Sequence, residues 1–190
     1  MIATINRLCH SPRKSMSRLH YSLGVAALCV FGVLDLHAQG RSSTATVEVI
    51  GGPHAGSYTL ASPPDVGCMI SERAGKPKKF SVNFGIPESD ARSKDPRALT
   101  FVVVSIRDAS GTGPAPAADY EASLSFGPVM DTKNGTFYMS GSNPTSGRKG
   151  GSGTVRLEDH GKDARVLLDL QPQPGVAVKG IVSCTNVLRY

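Results

Sequence analysis

Tryptophan is absent from this 190-residue chain, and aromatic residues make up only 6% of it. Sugar binding on stacked aromatic platforms is therefore poorly served, with Tyr58, Tyr120 and Tyr138 the side chains left for it. No Cys-x-x-Cys pair occurs, and of five histidines only His54 and His160 lie beyond the first 38 residues. Those counts argue against a zinc centre. No Gly-x-Ser-x-Gly elbow is present, which removes the strand-turn-helix nucleophile of the α/β hydrolases. No stretch keeps a helical apolar period, and no apolar run reaches the length that crosses a bilayer as a helix.

The longest apolar run is Leu23 to Leu34, 12 residues that follow Arg7, Arg13, Lys14 and Arg18 with no acidic residue between. A basic segment, a short apolar core and then Leu36-His37-Ala38 form the pattern of a secretory signal, with cleavage expected between Ala38 and Gln39. Met16 offers an alternative start that would give a signal of ordinary length. Cys29 sits inside the apolar run behind Leu28, where a lipoprotein signal needs a small residue, so no lipid anchor is expected. The expected organisation is a signal peptide over 1–38 and one domain over 39–190, exported to the periplasm or secreted, without a stable membrane anchor.

The leader holds four of the 21 basic residues and one of the 15 acidic ones, leaving 17 and 14, a net charge of +3 in place of +6. That balance gives little support for nucleic-acid binding. Cys68 and Cys184 remain as the only cysteines of the exported chain, and in an oxidising compartment they are expected to form one disulfide.

Short β-branched and aromatic runs recur, separated by Gly, Pro, Ser, Asn and Asp. Ten are readable: 44–50, 56–60, 68–71, 80–84, 99–106, 120–126, 136–139, 154–158, 165–170 and 176–185. Thr44 to Ile50 alternates, and Phe80, Val82 and Phe84 share a face. Phe101 to Val104 is apolar on both faces, as a central strand would be. Asp159 to Asp163 reads as a hairpin turn, and 140–153, rich in Gly and Ser, as a mobile loop or wide hairpin connection. Nine or ten strands with frequent turn signals predict an all-β fold, an antiparallel β-sandwich.

Several local patterns invite chemistry. Gly141, Gly147, Arg148 and Lys149 imitate a phosphate loop, but the spacing is one residue too long and no helix pattern follows. Ser146-Gly147-Arg148-Lys149 matches Ser-x-x-Lys, without the Lys-Thr-Gly strand that accompanies it in penicillin-binding enzymes. His54, between Gly-Gly-Pro and Ala-Gly, reads as an exposed turn histidine, and His160 lies in the last hairpin. Glu158, Asp159 and Asp163 could meet a hard cation, although their spacing reads as a solvated turn. Arg73, Lys76, Lys78 and Lys79, beside Phe80, form the densest basic cluster and could touch an acidic polysaccharide or lipid headgroups. Asn134-Gly135-Thr136 reads as a turn entering a strand rather than as a glycosylation site.

Val47-x-Val49-x-Gly51, a cysteine one strand later, Gly153-Thr154-Val155, and Lys179-Gly180-Ile181-Val182-Ser183-Cys184 together resemble small secreted, single-disulfide β-sandwich proteins of bacteria, mostly of unassigned function. The resemblance implies a sandwich and a disulfide and carries no activity. The resulting expectation is a non-catalytic β-sandwich that binds a protein or envelope component through its loops, with no catalytic, cofactor or metal residues assigned. A secreted hydrolase using His54 or His160, and a structural or adhesive envelope subunit, are the competing expectations.

Overall fold

Alternation of buried and exposed residues, with side chains turning to opposite faces at each step of an extended chain, organises the chain into two sheets. The computed structural model describes residues 43–62, 67–109, 114–115, 119–129 and 133–190, all within one compact unit. The signal segment, its cleavage position at Ala38 and Gln39, and Cys9 and Cys29 lie outside the described residues.

The six-stranded sheet runs, in spatial order, β2 (Gly56–Ala61), β1 (Thr44–Ile50), β12 (Val176–Cys184), β11 (Asp163–Gln173), β10 (Ser152–His160) and β6 (Pro114–Ala115), all antiparallel. The seven-stranded sheet runs β13 (Leu188–Arg189), β3 (Met69–Ser71), β4 (Lys79–Gly85), β5 (Leu99–Ile106), β7 (Tyr120–Phe126), β8 (Thr136–Asn143) and β9 (Arg148–Lys149). Only the β13–β3 pair in it is parallel.

The core lies between the sheets. Val47 and Val49 of β1, Val166, Leu168 and Leu170 of β11, and Val178 and Val182 of β12 meet Phe80, Val82 and Phe84 of β4 and Val102, Val104 and Ile106 of β5. Each such side chain contributes about 1.5–3 kcal/mol on full burial. The expected sandwich and its ten strands are present. Three two-residue strands, β6, β9 and β13, add to them, too short to give a pattern in sequence.

Three local expectations need correction. The β10–β11 hairpin turns on Gly161 and Lys162 alone, because Asp159 and His160 still pair with Ala164 and Asp163. The 140–153 segment is largely strand: β8 continues to Asn143, β9 pairs back onto it, and Ser140 is fully buried. Nor does β12 end the fold, since the chain crosses to the other sheet and adds β13 beside β3.

Candidate functional site

Outward-facing residues of neighbouring strands line up in register. Met69 of β3 pairs with Ser81 of β4, Ser81 with Ser105 of β5, and Ser105 with Glu121 of β7. One step along, Ser71 pairs with Lys79. These positions alternate with the buried Ile70, Phe80, Val82, Val104 and Ile106, so core packing fixes which way they point. The result is a floor of small hydroxyl side chains on the outer face of the seven-stranded sheet.

Two walls rise from that floor. The β3–β4 connection closes on a turn in which the Lys76 N–H donates to the Arg73 carbonyl (3.0 Å), carrying both side chains into solvent. Across the sheet, the Asn143 side chain accepts from the Thr145 and Ser146 N–H groups (3.0 and 3.1 Å), which sets the turn between β8 and β9. The hollow between the walls measures about 480 Å³ and opens to solvent beside Tyr190, itself 62% exposed.

Its charge is one-sided. Arg73, Lys76, Lys79 and Arg107 line it against one side-chain carboxylate, Glu121. Arg73, Lys76 and Lys79 are exposed and form no ion pair among the described residues. Arg107 is half-buried, and its Nη1 and Nη2 donate to the Ser142 carbonyl (2.9 Å) and hydroxyl (3.2 Å), so its guanidinium is held in place. Cations gathered over a low-dielectric wall raise the local concentration of anions, and arginine adds a planar fork suited to carboxylate or phosphate.

Three of the four cations expected to cluster therefore do so, and the fourth does not. Lys78 turns the other way, donating to Asp159 Oδ2 at 2.5 Å and pairing with Glu72 at 3.0 Å. Arg189 completes a four-charge network, bonded to Glu72 (2.8 Å), to Asp159 Oδ1 (2.5 Å) and to the Gly161 carbonyl. Burial alone would raise the Asp159 pKa. Hydrogen bonds from Arg189, Lys78 and the Gly161 N–H outweigh it and hold the carboxyl well below the usual carboxylate range. The hydrogen bond to Asp159 in turn raises Lys78. Phe80 does not accompany the cluster, being fully buried in the core.

His54 is buried rather than exposed, at 7% accessibility. Gly51 and Gly52 lie at φ 78° and 72°, a left-handed pair that few other residues could follow, and the turn they make aims the imidazole inward. Its ring stacks on Phe126 with centroids 4.5 Å apart and meets Tyr138 edge-on at 6.2 Å. Burial, and then the charge of Arg97, lower its pKa below the ordinary 6.5. Nδ1 has no hydrogen-bond partner, so no carboxylate orients the ring as a catalytic base requires. His160 is exposed at the end of β10.

The remaining sequence candidates also resolve. Tyr120 and Tyr138 cannot offer a platform, because both are fully buried, with hydroxyls that lack partners and pKa values raised by burial. Tyr58 is half-buried, donating to the His54 carbonyl (3.0 Å). Asp159 belongs to the ion network instead of a solvated turn, and no group of three or more His, Cys, Asp or Glu able to hold a metal occurs among the described residues. Ser146 on the β8–β9 turn and Lys149 in β9 are both exposed, with no helix following. A second hollow of about 450 Å³ lies near Tyr58, where Arg92 pairs with Asp90 and Asp95 accepts from the Arg97 N–H.

Sequence reading missed Tyr190, Arg107, Glu121 and the three serines, which come from distant parts of the chain and meet only in the folded sheet. No protein-family model, curated protein or solved structure matches this chain.

Proposed function

We propose that the chain is an exported, non-catalytic binding protein that holds an anionic component of the cell envelope in the hollow on its seven-stranded sheet. One observation carries the reading: Arg73, Lys76, Lys79 and Arg107 line a hollow of about 480 Å³ in which Glu121 is the single side-chain carboxylate. The floor supports recognition rather than turnover. Ser71, Ser81 and Ser105 have no imidazole beside them in the lining, and a serine without a general base is a weak nucleophile.

Export rests on the basic leader, the Leu23–Leu34 run and Ala38. It agrees with a disulfide that needs an oxidising compartment. N-terminal sequencing of the exported protein should begin at Gln39.

The binding claim is tested by co-sedimentation of the exported protein with its own envelope fraction across a salt series. Retention should fall as salt rises and vanish in Arg73→Glu/Lys79→Glu. Arg165→Glu, on the outer face of the other sheet, should behave as wild type. Equal retention of all three proteins would reject the hollow as the site.

A further inference from the structure

We infer that the occupant of the hollow is a chain of carboxylated sugars, a uronate-type polymer. This inference rests on the binding role proposed above and names its ligand class.

The floor is the first argument. Ser71, Ser81 and Ser105 are half-buried hydroxyls on three adjacent strands; Ser81 and Ser105 form a direct cross-strand pair, and Ser71 lies one step along, opposite Lys79. Each can donate and accept, as does every hydroxyl of a sugar ring. Asn143 and Thr145 extend the same chemistry onto one wall. A set of short two-way groups suits a ligand studded with hydroxyls.

Glu121 is the second and most selective argument. An ionised carboxylate only accepts hydrogen bonds. Sugar hydroxyls can satisfy it. A phosphodiester backbone or inorganic phosphate brings negative charge instead, and would be repelled by it. The acid therefore fits an anion whose charges are spaced apart and separated by O–H donors.

The placement of the cations is the third. Arg73 and Lys76 come from the β3–β4 turn, while Lys79 and Arg107 flank the Phe80–Ile106 pair of the neighbouring strands β4 and β5, so the cations come from more than one element. A single phosphate is usually held by converging backbone N–H groups at a loop or helix N-terminus. The 3₁₀ turn Ala91–Lys94 is not part of the lining. A chain with repeated carboxylates can engage several such cations at once.

Tyr190 is the fourth. Its ring offers an apolar face with a polar tip beside the hydroxyl floor. One aromatic suffices to seat one sugar ring, whereas a nucleic-acid strand stacks successive bases on several. A lipid surface is served poorly too, since a hollow does not follow a flat bilayer and Met69 and Tyr190 are the two exposed large hydrophobic residues in the lining.

The test is calorimetric titration of the exported protein with oligogalacturonate, its carboxyl-reduced neutral counterpart, inorganic phosphate, phosphatidylglycerol vesicles and single-stranded DNA, at one low salt concentration. Oligogalacturonate should bind, with at least about a tenfold preference over each of the others. Tyr190→Ala should weaken it about tenfold and Arg73→Glu/Lys79→Glu abolish it. Glu121→Gln should weaken oligogalacturonate while improving phosphate and DNA. Binding of vesicles, phosphate or DNA in preference to oligogalacturonate would overturn the sugar assignment and leave the anion-binding role standing. If no anion binds and envelope retention ignores the charge reversal, both fall.

Discussion

Cys68 and Cys184 are disulfide-bonded with Cα atoms 5.8 Å apart, although 116 residues separate them. Cys184 ends β12 in one sheet and Cys68 directly precedes β3 in the other, so the bond clamps the sandwich across its core. Both residues are essentially inaccessible. A loop of that length restricts the unfolded chain strongly, by about 4–5 kcal/mol in the chain-entropy account. Cys68→Ala/Cys184→Ala should therefore lose several kcal/mol in denaturant unfolding. The bond itself should resist reductant until the protein unfolds. Rapid reduction of the native protein by mild thiol, with no change in unfolding midpoint, would contradict this clamp.

The ion network lies on the same row of the six-stranded sheet. Asp159 pairs with Ala164, and Ala164 with Cys184, so the carboxylate stands two strands from the disulfide. There it reaches Lys78 and Arg189 from the opposite sheet. Hydrogen bonds to a charged group contribute about 1.5–3 kcal/mol each, so Asp159→Asn should cost about 2 kcal/mol near neutral pH. The sign of the pH dependence follows from the depressed carboxyl. Its stabilisation is present above the unfolded-state value near 4 and fades as pH falls below it. Wild type and Asp159→Asn should therefore converge in thermal stability below about pH 4. A constant gap from pH 7 to pH 2.5 would remove Asp159 ionisation from the account.

His54 titrates in the other direction. Burial against Phe126 and Tyr138, and then Arg97, favour the neutral ring. The unfolded chain thus takes up a proton near pH 6.5 before the native state does, and wild-type stability declines as pH drops below that value. His54→Phe keeps the stacking and removes both the proton and the partnerless Nδ1. It should lie within about 1 kcal/mol of wild type at pH 7.5 and gain on wild type toward pH 5. Urea midpoints at the two pH values decide this. The same substitution should leave envelope binding unchanged, because His54 is not part of the hollow.

How much of this was legible in the chain depends on period. Strands whose alternation is clean, such as β1 with Val47 and Val49 inward, announce themselves, and so does the apolar β5 at the middle of its sheet. Asp159 was misread because its Gly161 neighbour suggests a turn. Its parity with Val155 and Leu157 is the signal that places it on the inward face of β10. His54 was misread because glycines on both sides suggest exposure, whereas the left-handed pair Gly51-Gly52 folds the turn back onto aromatic residues more than seventy positions away. The hollow could not be read at all beyond its β3–β4 wall. Its floor exists only once Ser81, Ser105 and Glu121 are in register, and register between distant strands is set by packing across the whole sheet.

Lys78 and Lys79 separate stability from binding within one dipeptide. Lys78 is half-buried and bonded to Asp159 and Glu72, whereas Lys79, the first residue of β4, points to the outer face and lines the hollow. Lys78→Gln leaves Asp159 and Glu72 with Arg189 as their shared cation, so the midpoint of unfolding should fall by an amount equivalent to about 1–2 kcal/mol. Its affinity for the anionic ligand should stay within about twofold of wild type, because the lost charge was already neutralised. Lys79→Gln should do the opposite. An exposed strand residue without an ion pair changes stability by about 0.5 kcal/mol or less, while ligand affinity falls and the slope of log affinity against log salt becomes shallower. Paired denaturation and titration curves for the two variants read both quantities. If Lys78→Gln proved the binding mutant and Lys79→Gln the folding mutant, the anion site would lie on the wrong side of this hairpin.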